Sequence, residues 1–221
     1  MTNQQTSDEM KAECVAAMGE ELGTTYHALW QEVAQLHLRW IEFKELYGTD
    51  QDRVDLLNKT APPFFRLVQD ALWEQTLLHI ARLTDPPNSA GKANLTIKRL
   101  PTLIDNDKLR QEVEQKIIGA ETACFFCRGW RNKTLAHTDF EVATQNGVQL
   151  APASPAKIKE ALDSLTNVLN VISKHFYDSQ SCFGTSPDAR GGVALLSVLE
   201  AGLTALDERR QRDFWRRKRN K

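Results

Sequence analysis

What this chain lacks narrows the choices first. Across 221 residues no apolar run approaches the ~18–20 residues that a membrane span requires. The first ten residues, Met1 to Met10, are polar and acidic, without the basic-then-apolar layout of a secretory signal. The expected place is the cytoplasm, with no membrane contact. Cysteine is scarce: the four at positions 14, 124, 127 and 182 do not make a disulfide framework in a chain of this length. Cys124 and Cys127 have C-x-x-C spacing, but no second pair or nearby His/Cys cluster completes a zinc set, and no βαβ context suits a redox pair. Both fall on an apolar helical stripe, so packing is the reading that spacing favours. There is no internal repeat, no Gly-rich phosphate loop and no paired-carboxylate metal motif. No metal or cofactor is expected.

What is present is ordinary globular composition, 41% hydrophobic and 26% charged, arranged with helical periodicity. Leu22, Tyr26, Leu29, Val33, Leu36, Trp40, Phe43 and Tyr47 alternate steps of four and three, a seam for packing against another helix. His27 and His37 lie off that seam and are expected at the surface or flank. A short segment around Val54 to Asn58 leads to Ala61-Pro62-Pro63, a natural helix start. From Phe64 to Leu83 apolar residues go nearly all round, which predicts a helix at the centre of a bundle. His79 and Arg82 ride on it, as partners for Asp85 or for a functional site, or in a structural salt bridge. Asp85-Pro86-Pro87 ends it.

Residues 88–106 read as a linker with a short element near Leu95 to Ile104, broken by Pro101. Asp105 or Asn106 caps a long helix running from Asp107 toward Ala136. The stretch 138–154 reads as either a small β-hairpin or an irregular loop. Ser154-Pro155 opens another helix with the stripe Ile158, Leu162, Leu165, Leu169, Ile172 and Phe176. A last helix carries Leu196, Leu199, Leu203 and Leu206. The expected fold is all-α, an antiparallel bundle of four to five main helices. It divides into a polar segment over 1–20, the helical domain over 21–206 and a basic end over 207–221.

That basic end holds eight Lys/Arg against three Asp/Glu in a chain whose formal total is −1. Arg216, Arg217, Lys218 and Arg219, beside Phe214 and Trp215, suit phosphate contact and base stacking; they also suit a solvated helix terminus with cations at the negative dipole end.

One stretch departs from generic helix. Leu109, Val113, Ile117, Ala120, Cys124 and Cys127 define an inward stripe, and its next slot is Arg131. A guanidinium there cannot shed its charge and must meet an anion, a wet interface or a pocket. His137 follows, the side chain best suited to proton transfer near neutral pH. At about 100° per residue the two fall on different faces of a straight helix; a bend at the helix end or a two-fold partner would let them converge. Asn132 adds an amide able to orient the imidazole or hold a phosphate oxygen. A salt-bridged Arg and a satisfied His remain the structural alternative.

Arg131-Asn132-Lys133-Thr134-Leu135-Ala136-His137 resembles the R-N-x-x-x-A-H form of the R-x(4–6)-H motif of the HEPN superfamily. With Ala81-Arg82-Leu83-Thr84-Asp85 upstream, the chain is most similar to its abortive-infection U-type branch, over roughly residues 22–178. The resemblance implies an all-helical domain, often a metal-independent RNase, in which Arg and His of two protomers meet at a dimer cleft. Carried onto this chain, Arg131 and His137 take the catalytic roles. Asn132 and Asp139 support them, and Arg128 and Lys133 add RNA contacts. The implied partners are an RNA substrate, a second copy of the chain and a cognate antitoxin or other defence protein. A related branch has a Tyr two residues after the His, modified with AMP by a partner enzyme; this chain has Asp139 there. The alternative is a non-catalytic nucleotide- or RNA-binding or dimerisation module.

Overall fold

The computed structural model describes residues 6–48, 50–132, 153–183 and 191–219. Helix α1 (Ser7–Met18) opens on a reciprocal capping box: the Thr6 hydroxyl accepts from the Glu9 N–H at 3.3 Å, and the Glu9 carboxylate from the Thr6 N–H at 2.8 Å, satisfying two orphan donors. Gly19, at φ +83°, supplies a left-handed conformation that favours glycine and separates α1 from α2 (Glu20–Tyr47). Helices α3 (Gln51–Thr60) and α4 (Pro62–Leu83) follow. Strands β1 (Asn88–Ser89) and β2 (Lys92–Ala93) pair antiparallel around Ala90-Gly91, both at positive φ, as a tight two-residue hairpin turn requires. A 3₁₀ segment (Ile97–Leu103) leads to α5 (Asp107–Trp130), then α6 (Pro155–Tyr177) and α7 (Gly191–Arg219). The fold is all-α, as the periodicities predict. Asn106 and Ser154 cap α5 and α6 through their side-chain oxygens.

The chain forms two compact units. The first comprises Met1–His37 and Glu74–Gly184. Its core draws Leu29, Val33 and Leu36 from α2, Leu77, Ile80 and Ala81 from α4, Ile97 and Leu100 from the 3₁₀ segment, Val113, Ala120 and Cys124 from α5, and Ile158, Leu165, Leu169 and Ile172 from α6, all fully buried. Each large aliphatic side chain so removed from water contributes about 1.5–3 kcal/mol. Asn170 pins the segment after α6, accepting from the Ser181 N–H at 2.8 Å and donating to its carbonyl at 3.2 Å.

The second unit comprises Leu38–Trp73 and Thr185–Lys221. Trp40, Phe43, Tyr47 and Trp73 form an aromatic cluster with ring centroids 5.2–6.2 Å apart. Leu46, Leu57, Phe65 and Leu196 pack as a second cluster. Two carboxylates hold the start of α7: Glu42 accepts from the Gly191 N–H at 3.1 Å and from that of Gly192, and Glu45 from the Val193 N–H at 3.3 Å. They satisfy orphan donors at the positive end of the helix dipole.

Several expectations need correction. His27 is buried rather than at the surface. It lies one turn beyond Gly23 on α2, and α1 comes so close there that a Cβ at Gly23 would sit 2.5 Å from the Cys14 carbonyl oxygen. His37 is half-buried, shares a 2.9 Å hydrogen bond with Thr166 and stacks on Phe183. Helix α4 is not central along its whole length: Phe64 and Leu67 are 60% and 70% exposed, and burial concentrates from Thr76 onward. The 3₁₀ segment runs through Pro101 instead of breaking there, since a short tight helix needs few N–H donors. Leu206, expected on the apolar stripe of α7, is exposed. A hairpin occurs at 88–93, within the expected linker; most of 138–154, where one was considered, lies outside the described residues.

Two glycine substitutions test this packing. Gly23→Ala forces backbone apart where α1 meets α2 and should destabilise by about 1–3 kcal/mol. A Cβ at Gly119 in α5 meets nothing within 4 Å, so Gly119→Ala should stabilise by about 0.5–1 kcal/mol. Urea unfolding midpoints should move in opposite directions.

Candidate functional site

Helix α5 keeps regular geometry to Trp130, and Arg131-Asn132 continue it as a wider π-helical turn, a local irregularity common at functional positions. The Arg131 N–H donates to the carbonyls of Cys127 and Arg128. Its side chain is three-quarters covered, and the guanidinium forms an ion pair, through Nη1, with the Asp85 carboxylate. Nε donates to the Asn132 amide oxygen at 3.0 Å. Among the described residues nothing engages Nη2, so one edge of the planar fork is left for another acceptor.

Asp85 stands where the Ala81–Asp85 segment leaves α4, and each residue of that segment has a physical task. Ala81 and Leu83 are buried in the core. The Thr84 hydroxyl donates to the Ala81 carbonyl at 3.1 Å, and the Thr84 carbonyl accepts from the Arg128 guanidinium. The Thr96 hydroxyl lies 2.9 Å from the carbonyls of both Leu83 and Asp85 and shares its one proton between them. The helix end is thus satisfied by side chains rather than by a further turn. Arg82 turns outward and lies 3.8 Å from Glu32 Oε2, and His79 Nε2 is 2.7 Å from the same oxygen. Asp85 therefore pairs with Arg131, while Arg82 and His79 face Glu32 instead, Arg82 in a structural salt bridge. The carboxylate they share, Glu32, carried no sequence signal, since it belongs to a distant stretch of α2.

Arg128 is held by the Thr84 carbonyl and stands 4.0 Å from Glu121, which also pairs with Lys98. Lys133, His137 and Asp139 lie outside the described residues. Arg216, Arg217, Lys218 and Arg219 are exposed at the end of α7 in the second unit, where Lys218 Nζ stands 5.4 Å from the Trp215 ring centroid. Cys124 and Cys127 are buried. Burial pushes the Cys124 thiol up to about 12, and Cys127 upward as well, because a thiolate loses its hydration there. Among the described residues no group of three or more His, Cys, Asp or Glu is placed to hold a metal ion, and no helix is long and apolar enough to cross a membrane.

The sequence model of the HEPN AbiU2 family matches residues 19–189. The chain belongs to the HEPN AbiU2 family. The match spans both the Ala81–Asp85 segment and the motif beginning at Arg131. Membership connects the chain with abortive-infection defence, and HEPN domains are often ribonucleases. No curated protein and no solved structure matches the chain.

The thiols provide a check on the first unit. Because burial raises their folded pKa values, Cys124 and Cys127 are neutral at neutral pH; the associated stability is fully present below the ordinary thiol pKa, falls as pH rises above it and, for Cys124, is lost by about 12. Iodoacetamide at pH 7.5 should label the exposed Cys182 in native protein. Cys124 and Cys127 should react only after denaturation, as peptide mass mapping would read.

Proposed function

We propose that this chain is a metal-independent endoribonuclease of abortive-infection defence, acting as a cytoplasmic homodimer restrained by an antitoxin or another defence-system partner. The observation that carries this reading is Arg131: a permanent cation at the end of α5, oriented by Asp85 and Asn132, with one edge of its fork unengaged among the described residues. Such an edge is pre-organised for a phosphoryl oxygen without reorganisation at the moment of reaction. Membership of the HEPN AbiU2 family supports the same assignment.

In the proposed reaction the RNA 2′-oxygen attacks the adjacent phosphorus while its proton passes to a base. The bond from phosphorus to the 5′-oxygen breaks, and that oxygen takes a proton from an acid. The products are a 2′,3′-cyclic phosphate and a 5′-hydroxyl. His137 is the assigned acid or base, poised near neutral pH, and a two-fold dimer brings it to Arg131 across the interface. Arg131 stabilises the charge that develops on the non-bridging oxygens. Asn132 orients the guanidinium, Asp139 supports the site, and Lys133 and Arg128 add positive charge along the strand. The basic end of α7, with Phe214 and Trp215 exposed among its cations, supplies sequence-independent attraction for RNA.

A second reading has its own observation. The Asp85 ion pair accounts for an inward Arg131 with no chemistry at all, as a binding or dimerisation module would need. Cleavage decides between them. Wild type should fragment RNA in the presence of chelator and leave 2′,3′-cyclic phosphate ends. Arg131→Ala and His137→Ala should each lose about 10²–10³-fold in rate, the usual cost of removing one transition-state donor. Asp85→Asn keeps the cation and misplaces it, with a loss of up to ~10²-fold. Unchanged cleavage in both alanine variants, or activity abolished by chelator, would overturn the nuclease reading.

A further inference from the structure

Beside the Arg131–Asp85 pair lies a cavity that the proposed reaction does not use. It is lined by Glu32, His79, Arg82, Leu83, Asp85, Ala93, Asn94 and Leu95, with a volume of about 370 Å³, within the ~300–1,000 Å³ of small-ligand sites. Asp85 belongs to both places: its carboxylate holds Arg131 and also lines this cavity. A nucleotide whose phosphate meets Arg131 would have its base next to this opening.

The walls have a definite chemical sense. Ala93 and Leu95 offer exposed apolar surface for a ring, with the buried Leu83 behind them. The hairpin that carries Ala93 is fixed by Asn94, whose amide donates to the Pro86 carbonyl at 2.8 Å and to the Ser89 hydroxyl at 3.1 Å, so Asn94 is committed to shape. The polar groups open to a ligand are Glu32, Arg82 and Asp85. Buried His79 places Nε2 2.7 Å from Glu32 Oε2. Among the described residues Glu32 Oε1 makes no hydrogen bond. Arg82 stands 3.8 Å from Oε2 with its side chain 56% exposed, so its remaining donors are open to solvent.

We infer that this cavity is a guanine-recognition subsite in which Glu32 and Arg82 read the base. The inference rests on the nuclease reading for its role in cleavage, though not for binding itself. An ionised carboxylate only accepts and a guanidinium only donates. Guanine presents two adjacent donors, N1–H and the N2 amino group, beside the O6 acceptor, which matches a carboxylate next to an arginine. Adenine and cytosine each offer a single amino group and uracil a single N–H, so each leaves part of the pair unanswered. Arg to guanine O6 and N7 is the commonest specific base contact in duplex DNA. Single-stranded RNA is read on its Watson–Crick edges in the same chemical terms.

The test measures 5′-GMP, AMP, CMP and UMP binding to the full chain by calorimetry, and cleavage of oligouridylate carrying one internal G, A or C. GMP should bind at least tenfold more tightly than the other three, and cleavage should concentrate at the G. Glu32→Gln should erase the preference. Arg82→Ala, at an exposed position, should weaken GMP binding without altering the unfolding midpoint, which keeps the proposal testable if Glu32→Gln fails to fold. Equal binding of all four nucleotides, or a GMP preference that survives both substitutions, would overturn the subsite. Cleavage by wild type with no base preference would overturn the subsite and leave the nuclease standing. Absence of any cleavage would sink the nuclease reading, and the four binding constants would then decide the subsite alone.

Discussion

The ion pair between Asp85 and Arg131 ties the end of α4 to the end of α5, and the local structure at both helix ends depends on it. The guanidinium of a side chain covered to three-quarters cannot neutralise itself, so its place on an apolar stripe is tolerable only with an anion in reach. The anion comes from the one place where α4 stops being helical. That stop leaves carbonyls without helical partners, and Thr96 and Arg128 supply donors to them. A buried pair broken on one side costs about 3–5 kcal/mol, and less where solvent still reaches it. The pair is therefore a weak source of net stability and a strong determinant of geometry. It fixes which way the guanidinium faces.

The same logic of carboxylates at backbone ends recurs in the second unit. Glu42 and Glu45 take up the first N–H groups of α7, where the helix dipole favours negative charge. At its other end the helix gathers Arg216, Arg217, Lys218 and Arg219, where the dipole favours positive charge. Both termini thus agree with the dipole, and this helps a helix whose last turns bury almost nothing to persist. The exposed cations and the Phe214–Trp215 pair are then presented on a continuous helix.

Charged groups in this protein do their work in pairs. Glu32 serves His79 and Arg82, and Glu121 serves Lys98 and Arg128. Such pairs exchange water for protein at little net gain. They do restrict the side chains to one arrangement around the outlet of α4 and α5. The hydrophobic seams supply the stability, and the ion pairs supply the orientation.

The periodic part of the fold was legible from spacing alone. Steps of three and four place Leu22 through Phe43 and Ile158 through Ile172 in the core, because a helix puts those positions on one face whatever surrounds it. The caps at Asn106 and Ser154 were legible for the same local reason, as was Arg131, which broke a pattern its neighbours had set. What periodicity could not report was which face another element covers. His27 is buried because α1 presses on Gly23 one turn away, and Phe64 and Leu67 are exposed although their sequence is as apolar as any core helix. Nor could spacing identify Glu32, more than forty residues from its nearest partner in the chain, or the cavity shared by Glu32 and Asp85. A local pattern sets helix and face through backbone geometry. The choice of partner across the chain is a contest among many surfaces, and only the packed structure decides it.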